Sequence, residues 1–148
     1  MDVLLVEDSP GDVRLTREAF RDVNGSVQMH VVSDGVEAMA FLKRKGAHIH
    51  APRPRLILLD LNLPKMNGHD VLARVKGDHE LKSIPTVIMT TSDWEIDIVK
   101  SHQLQANCYV QKPRQFDAFK ALVQNINTFW LTNGMSVRRT QSAQSHAS

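Results

Sequence analysis

The sequence predicts a doubly wound α/β fold: five parallel strands in the order 2-1-3-4-5, helices on both faces, and a C-terminal extension. Three observations predict it. Short apolar runs alternate with amphipathic stretches, as in successive βαβ units. The run Leu56-Ile57-Leu58-Leu59 is apolar on both faces, as a central parallel strand must be when helices cover it on each side. Two of the runs end on carboxylates, Glu7-Asp8 and Asp60.

The elements follow in order. Val3 to Val6 is the first strand. In Ser9-Pro10-Gly11-Asp12, Ser9 can cap a helix, Pro10 can take its first position and Asp12 can face the capped end, opening a helix to about Val23. Val27 to Val32 reads as the second strand, Asp34-Gly35 as a turn, and Val36 to Lys45 as a helix with Ala38, Phe41 and Leu42 inward. His48 to Pro54 reads as loop. After the third strand, Pro64 and Gly68 mark a turn-rich stretch before a helix of roughly Asp70 to Lys76. Thr86 to Thr90 is the fourth strand, and Ser92 or Asp93 would cap the fourth helix. Cys108 to Gln111 is a short fifth strand, closed by Lys112-Pro113 because proline cannot continue the ladder. The last helix starts near Phe116, with Phe119, Leu122, Val123, Ile126, Phe129 and Trp130 recurring at three and four. Residues 1–131 are therefore expected to form one domain, and 132–148 a polar tail or arm rich in Ser, Thr and Gln.

Composition narrows the function. A length of 148 residues suits one domain. With 42% hydrophobic and 23% charged residues, disorder, collagen and disulfide scaffolds are excluded. No apolar run is long enough to span a bilayer, and no signal-peptide pattern opens the chain, so a cytoplasmic protein is expected. The single cysteine, Cys108, excludes an intrachain disulfide and reads as a small buried hydrophobe. A net charge of +2 without a basic stripe gives no basis for direct nucleic-acid binding. The pair His48 and His50 has no third ligand nearby in sequence and reads as loop.

In such a sheet, ligands bind beyond the carboxyl ends of the strands where strand order reverses, here between strands one and three. Glu7, Asp8 and Asp60 leave the sheet at that point. Three converging carboxylates repel one another and are stable mainly around a hard cation, and oxygen-only ligands suit Mg²⁺ or Mn²⁺. Thr90 and Lys112 leave strands four and five on the same edge. A carboxylate, a divalent ion, a lysine and a hydroxyl are the parts of phosphoryl transfer to a side chain. Asp60, ending the central strand, is placed as nucleophile. Glu7 and Asp8 would hold the metal, Lys112 would pair with the arriving phosphoryl oxygens, and Thr90 would donate a hydrogen bond to them.

Glu7-Asp8, the stretch Asp60-Leu61-Asn62-Leu63-Pro64-Lys65-Met66-Asn67-Gly68, Thr90, Tyr109 and Lys112-Pro113 together resemble the receiver domain of two-component response regulators over about residues 2 to 127. The resemblance implies a flavodoxin-like fold and makes Asp60 the phosphoacceptor for a histidine kinase. It implies that Asp8, Asp60 and the backbone carbonyl of Asn62 coordinate Mg²⁺ directly, with Glu7 acting largely through water. Thr90 and Tyr109 would form a switch pair. More narrowly, Glu7 to Thr16, Asp60 to Pro64, Ala106 to Val110 and Phe129-Trp130-Leu131 resemble the stand-alone regulators of phytochrome-type, light-sensing kinases. With no output domain following, transcriptional activity is not expected of this chain. On this reading it is not an enzyme, since it takes part only in its own phosphorylation and dephosphorylation.

Phe129, Trp130 and Leu131 would project past the sheet that a receiver's last helix covers. They are expected to form a symmetric homodimer interface. Two alternative functions fit the residues less well. An aspartyl-phosphate phosphatase would want a second acid two residues after the nucleophile, where Asn62 stands. A phosphate-independent interaction module would not need the intact acidic set with Thr90 and Lys112.

Overall fold

The computed structural model describes residues 2–23, 27–90, 108–112 and 116–126. Five strands, β1 (Asp2–Val6), β2 (Gln28–Val32), β3 (Leu56–Asp60), β4 (Thr86–Thr90) and β5 (Cys108–Gln111), form one sheet in the order β2-β1-β3-β4-β5, and every neighbouring pair is parallel. This is the predicted flavodoxin-like order, with the reversal at β1 and β3.

Alternation along the strands sorts their side chains into two cores, because successive residues of a strand point to opposite faces. Leu4, Val6, Ile57, Leu59 and Ile88 face one side, where they pack with Phe41 and Leu42 of α2 (Gly35–Lys43) and Val71, Leu72 and Val75 of α3 (Gly68–Lys76). Val3, Leu5, Leu56, Leu58, Val87 and Met89 face the other, with Ala19 and Phe20 of α1 (Pro10–Val23) and Leu122 of the C-terminal helix (Phe116–Ile126). Leu56 to Leu59 are fully buried. The unbroken apolar run of β3 is thus the consequence of burial on both faces.

The helix starts follow local chemistry. The Asp12 N–H donates to Ser9 Oγ at 3.4 Å, so Ser9 caps α1 and Pro10 takes the first turn. Asp34 caps α2 by accepting from the Glu37 N–H at 2.7 Å. α3 begins at Gly68, two residues ahead of the expected start, because Asn67 caps it by accepting from the Asp70 N–H at 3.0 Å. The expected loop after α2 opens with a short 3-10 turn, Gly46–His48. Its His48 ring lies 5.4 Å from Phe41, between centroids, and its Nε2 3.6 Å from Glu37 Oε1. His48 is thereby part of the packing around α2, while His50 is exposed.

The expected fourth helix, Pro113, Arg114, Phe129 to Leu131 and the tail 132–148 lie outside the described residues. No helix among the described residues is long and apolar enough to cross a membrane.

Candidate functional site

Register carries the candidate residues to one rim. Val6 pairs with Leu59, so Glu7 and Asp60 leave neighbouring strands at the same level. Asp60 pairs with Met89, and Thr90 with Gln111, which puts Thr90 one step and Lys112 two steps further along the same edge. Lys112 is tied there by its backbone N–H, which donates to the Thr90 carbonyl at 2.7 Å. Glu7 is tied likewise, through its N–H to the Val32 carbonyl at 3.0 Å.

The side chains converge. One oxygen each of Glu7, Asp8 and Asp60 lie within 4.8 Å of one another. Glu7 and Asp60 are buried, and Asp8 is exposed. Thr90 and Lys112 are buried as well. Lys112 Nζ donates to Glu7 Oε1, to Asp12 Oδ2 at 3.0 Å and to Asp60 Oδ2 at 3.2 Å. The other Asp60 oxygen, Oδ1, accepts the Asn62 N–H at 3.1 Å, which orients the carboxylate. Sequence reasoning placed Glu7, Asp8, Asp60, Thr90 and Lys112 together, and so does the structure. Tyr109 lies on β5 opposite Ile88, its side chain outside the described part.

Asp12 is the member that sequence reasoning missed. The sequence places it as a charge facing a helix end, yet its carboxylate also reaches the Lys112 ammonium. Its position on the first turn of a helix that starts at the rim was the available signal.

Four carboxylates around one ammonium leave surplus negative charge. Burial, with the Asp60 carboxylate beside it, pushes Glu7 up to about 8, against the pull of Lys112. Burial alone would lower Lys112, but Asp60, Glu7 and Asp12 outweigh it and hold its pKa above the ordinary lysine value. The ammonium therefore stays charged, while Glu7 is the carboxyl that keeps a proton in the metal-free chain.

This donor set suits a hard divalent cation. Its ligand atoms are oxygens, close enough to share one ion, and a dipositive charge offsets what Lys112 leaves unbalanced. Among the described residues it is the one such cluster.

The loop leaving Asp60 is held by close backbone approaches. A Cβ on Gly68 would overlap the Asp60 carbonyl, and one on Gly35 would overlap the Met66 carbonyl. Lys65 adopts a left-handed conformation, φ 64°, with its ammonium 3.5 Å from Asp34 Oδ2.

The response regulator receiver domain matches residues 3–124. The chain belongs to this family. The response regulator Rcp1 of Synechocystis sp. is 46% identical over 129 residues, spanning 87% of this chain and 88% of Rcp1. The crystal structure of the Mn(2+)-bound form of Rcp1 is 45% identical, with a TM-score of 0.81 over 88% of this chain and 94% of that one. The phosphorylated cyanobacterial phytochrome response regulator RcpA is 44% identical, with a TM-score of 0.84 over 90% of this chain and 95% of that one. The acidic rim of this receiver thus sits on the fold of proteins solved with a divalent metal and in a phosphorylated state.

Proposed function

We propose that this receiver is a phosphorelay protein, phosphorylated on Asp60 by a histidine kinase of the phytochrome type with Mg²⁺ at the acidic rim. The observation that carries the reading is the Lys112 ammonium, which bridges Glu7 and Asp60 at the end of the central strand.

In the transfer, an Asp60 oxygen attacks the phosphorus of a phosphohistidine. The new O–P bond forms as the P–N bond breaks, and the departing imidazole nitrogen keeps the bonding pair and takes up a proton. Asp60 becomes a mixed anhydride, an acyl phosphate. A bound Mg²⁺, held by Asp8, Asp60, the Asn62 carbonyl and more remotely Glu7, would neutralise charge on the transferred group. Lys112 offers the complementary positive charge, and Thr90 a hydroxyl at the end of the neighbouring strand. Hydrolysis by water at phosphorus returns the carboxylate and inorganic phosphate. The chain turns over no other substrate on this reading; Asn62 stands where a phosphatase would need an acid.

The phytochrome-type partner is supported by the 44% identity to RcpA, a phytochrome response regulator. Phosphorylation would shift Thr90 and turn Tyr109 inward, biasing the surface around β5 and the last helix between two states. Phe129, Trp130 and Leu131 would form a homodimer interface on the continuation of that helix, and the protein would work in the cytoplasm. Transfer from a phosphorylated phytochrome-type kinase tests the reading. Label moves to the parent chain and not to Asp60→Asn, and a labelled Asp60→Asn chain overturns it.

A further inference from the structure

Asp12 occupies a place around Lys112 that phosphoryl transfer has to reassign. An alkylammonium has three N–H donors. Three carboxylate oxygens take them: Glu7 Oε1, Asp12 Oδ2 and Asp60 Oδ2. With donors and acceptors equal in number, a phosphoryl oxygen can bond to Nζ only as one carboxylate lets go.

The three are not equally easy to release. The side chains of Glu7 and Asp60 are 2% and 10% exposed, so either one would be left as a buried polar group without its partner. Asp12 is 34% exposed and can turn to water. Its backbone has separate anchors, since its N–H donates to Ser9 Oγ at 3.4 Å and its carbonyl accepts from Thr16 Oγ1 at 2.8 Å. The carboxylate can therefore swing while the first turn of α1 stays in place, where the helix terminus favours negative charge.

We propose that Asp12 is a positioning residue for Lys112: it holds the ammonium on the rim in the resting chain and gives up its place to a phosphoryl oxygen when Asp60 is phosphorylated. The inference rests on the reading of Asp60 as phosphoacceptor. Its consequence is local. The same event that loads Asp60 delivers a free carboxylate to the start of α1, the helix that also carries the exposed Arg14 and Arg17 two and five residues further on.

Beryllofluoride with Mg²⁺, a non-covalent mimic of a phosphoryl group on a carboxylate, tests this in the full chain. Asp12→Asn weakens the bond to be broken, leaving a neutral amide oxygen where a carboxylate stood, and removes the repulsion between Asp12 and the incoming anion. It should bind beryllofluoride about two- to fivefold more tightly than the parent, the range expected for a part-exposed ion pair. Asp12→Glu should return to parental affinity. Glu18→Gln, which removes the same charge elsewhere on α1, should leave it unchanged. In the parent, the Asp12 carboxyl carbon resonance should move on beryllofluoride binding, a signature that needs no variant to fold. Equal or weaker binding by a folded Asp12→Asn chain, or a stationary Asp12 carboxyl signal in the saturated parent, overturns the inference and leaves Asp60 as phosphoacceptor. A parent that binds no beryllofluoride at all overturns both.

Discussion

Lys112 Nζ lies 3.2 Å from Asp60 Oδ2, although 52 residues separate them in the chain. Both side chains are nearly buried, and each sits at a strand end: Asp60 is the last residue of β3 and Lys112 the first beyond β5. The parallel register brings them together, and the local charge balance follows from that register.

Lys112 is the counterion of the rim. In Lys112→Met the buried carboxylates of Glu7 and Asp60 lose it, a change that costs about 3–5 kcal/mol when one partner of a buried pair is removed. Urea unfolding in chelator at about pH 8 should show that loss, and at about pH 5, where Glu7 holds a proton, a smaller one. Equal stability of variant and parent at the higher pH would contradict the assignment of Lys112 as counterion.

Glu7 makes the metal-free chain sensitive to pH in the unusual direction for a carboxylate. Its pKa rises from 4.5 to about 8 on folding, so the folded chain holds a proton that the unfolded chain releases in between. The stabilisation is whole below about 4.5 and drains away as pH climbs to about 8. Denaturation midpoints in chelator should fall across that window. Glu7→Gln should flatten the decline, and so should Mg²⁺, which favours the ionised carboxylates. A decline that persists undiminished in Glu7→Gln would assign the effect to another group.

Gly68 and Gly35 are where the loop after Asp60 meets the rest of the fold. Because a Cβ at either position would run into a carbonyl, Gly68→Ala and Gly35→Ala should each destabilise the chain by about 1–3 kcal/mol, the usual cost of overpacking. Gly68→Ala should also weaken Mg²⁺ binding, since the carbonyl it displaces is that of Asp60. Gly46→Ala offers a contrast, having open space but a left-handed φ of 59°. Thermal melts and a Mg²⁺ titration separate these effects.

The rim was legible in the sequence because position along a strand converts directly into position in space. Once Leu56 to Leu59 is a central strand, Asp60 must emerge at its carboxyl end, and Glu7, Thr90 and Lys112 follow by the same rule. The alternation that splits β1, β3 and β4 between two cores was equally legible. Asp12 was not. Its backbone role at the start of α1 could be read from Ser9-Pro10-Gly11-Asp12, but the direction of its carboxylate depends on how α1 lies against β5, which no local pattern encodes. The early start of α3 at Gly68 was hidden for a similar reason, since the glycine reads as a turn until the Asp60 carbonyl is seen against it. Tyr109 as a switch residue and Phe129, Trp130 and Leu131 as an interface stay readings of the sequence.

The claim that Asp60 carries the phosphoryl group can be read most directly by reductive trapping. After treatment with acetyl phosphate and Mg²⁺, borohydride converts an acyl phosphate to an alcohol, and peptide mass spectrometry locates the altered residue. The account predicts one altered site, at position 60, that is lost when Mg²⁺ is chelated. An alteration at Asp8 or Asp12 with Asp60 untouched, or none in a folded chain supplied with both reagents, would contradict it.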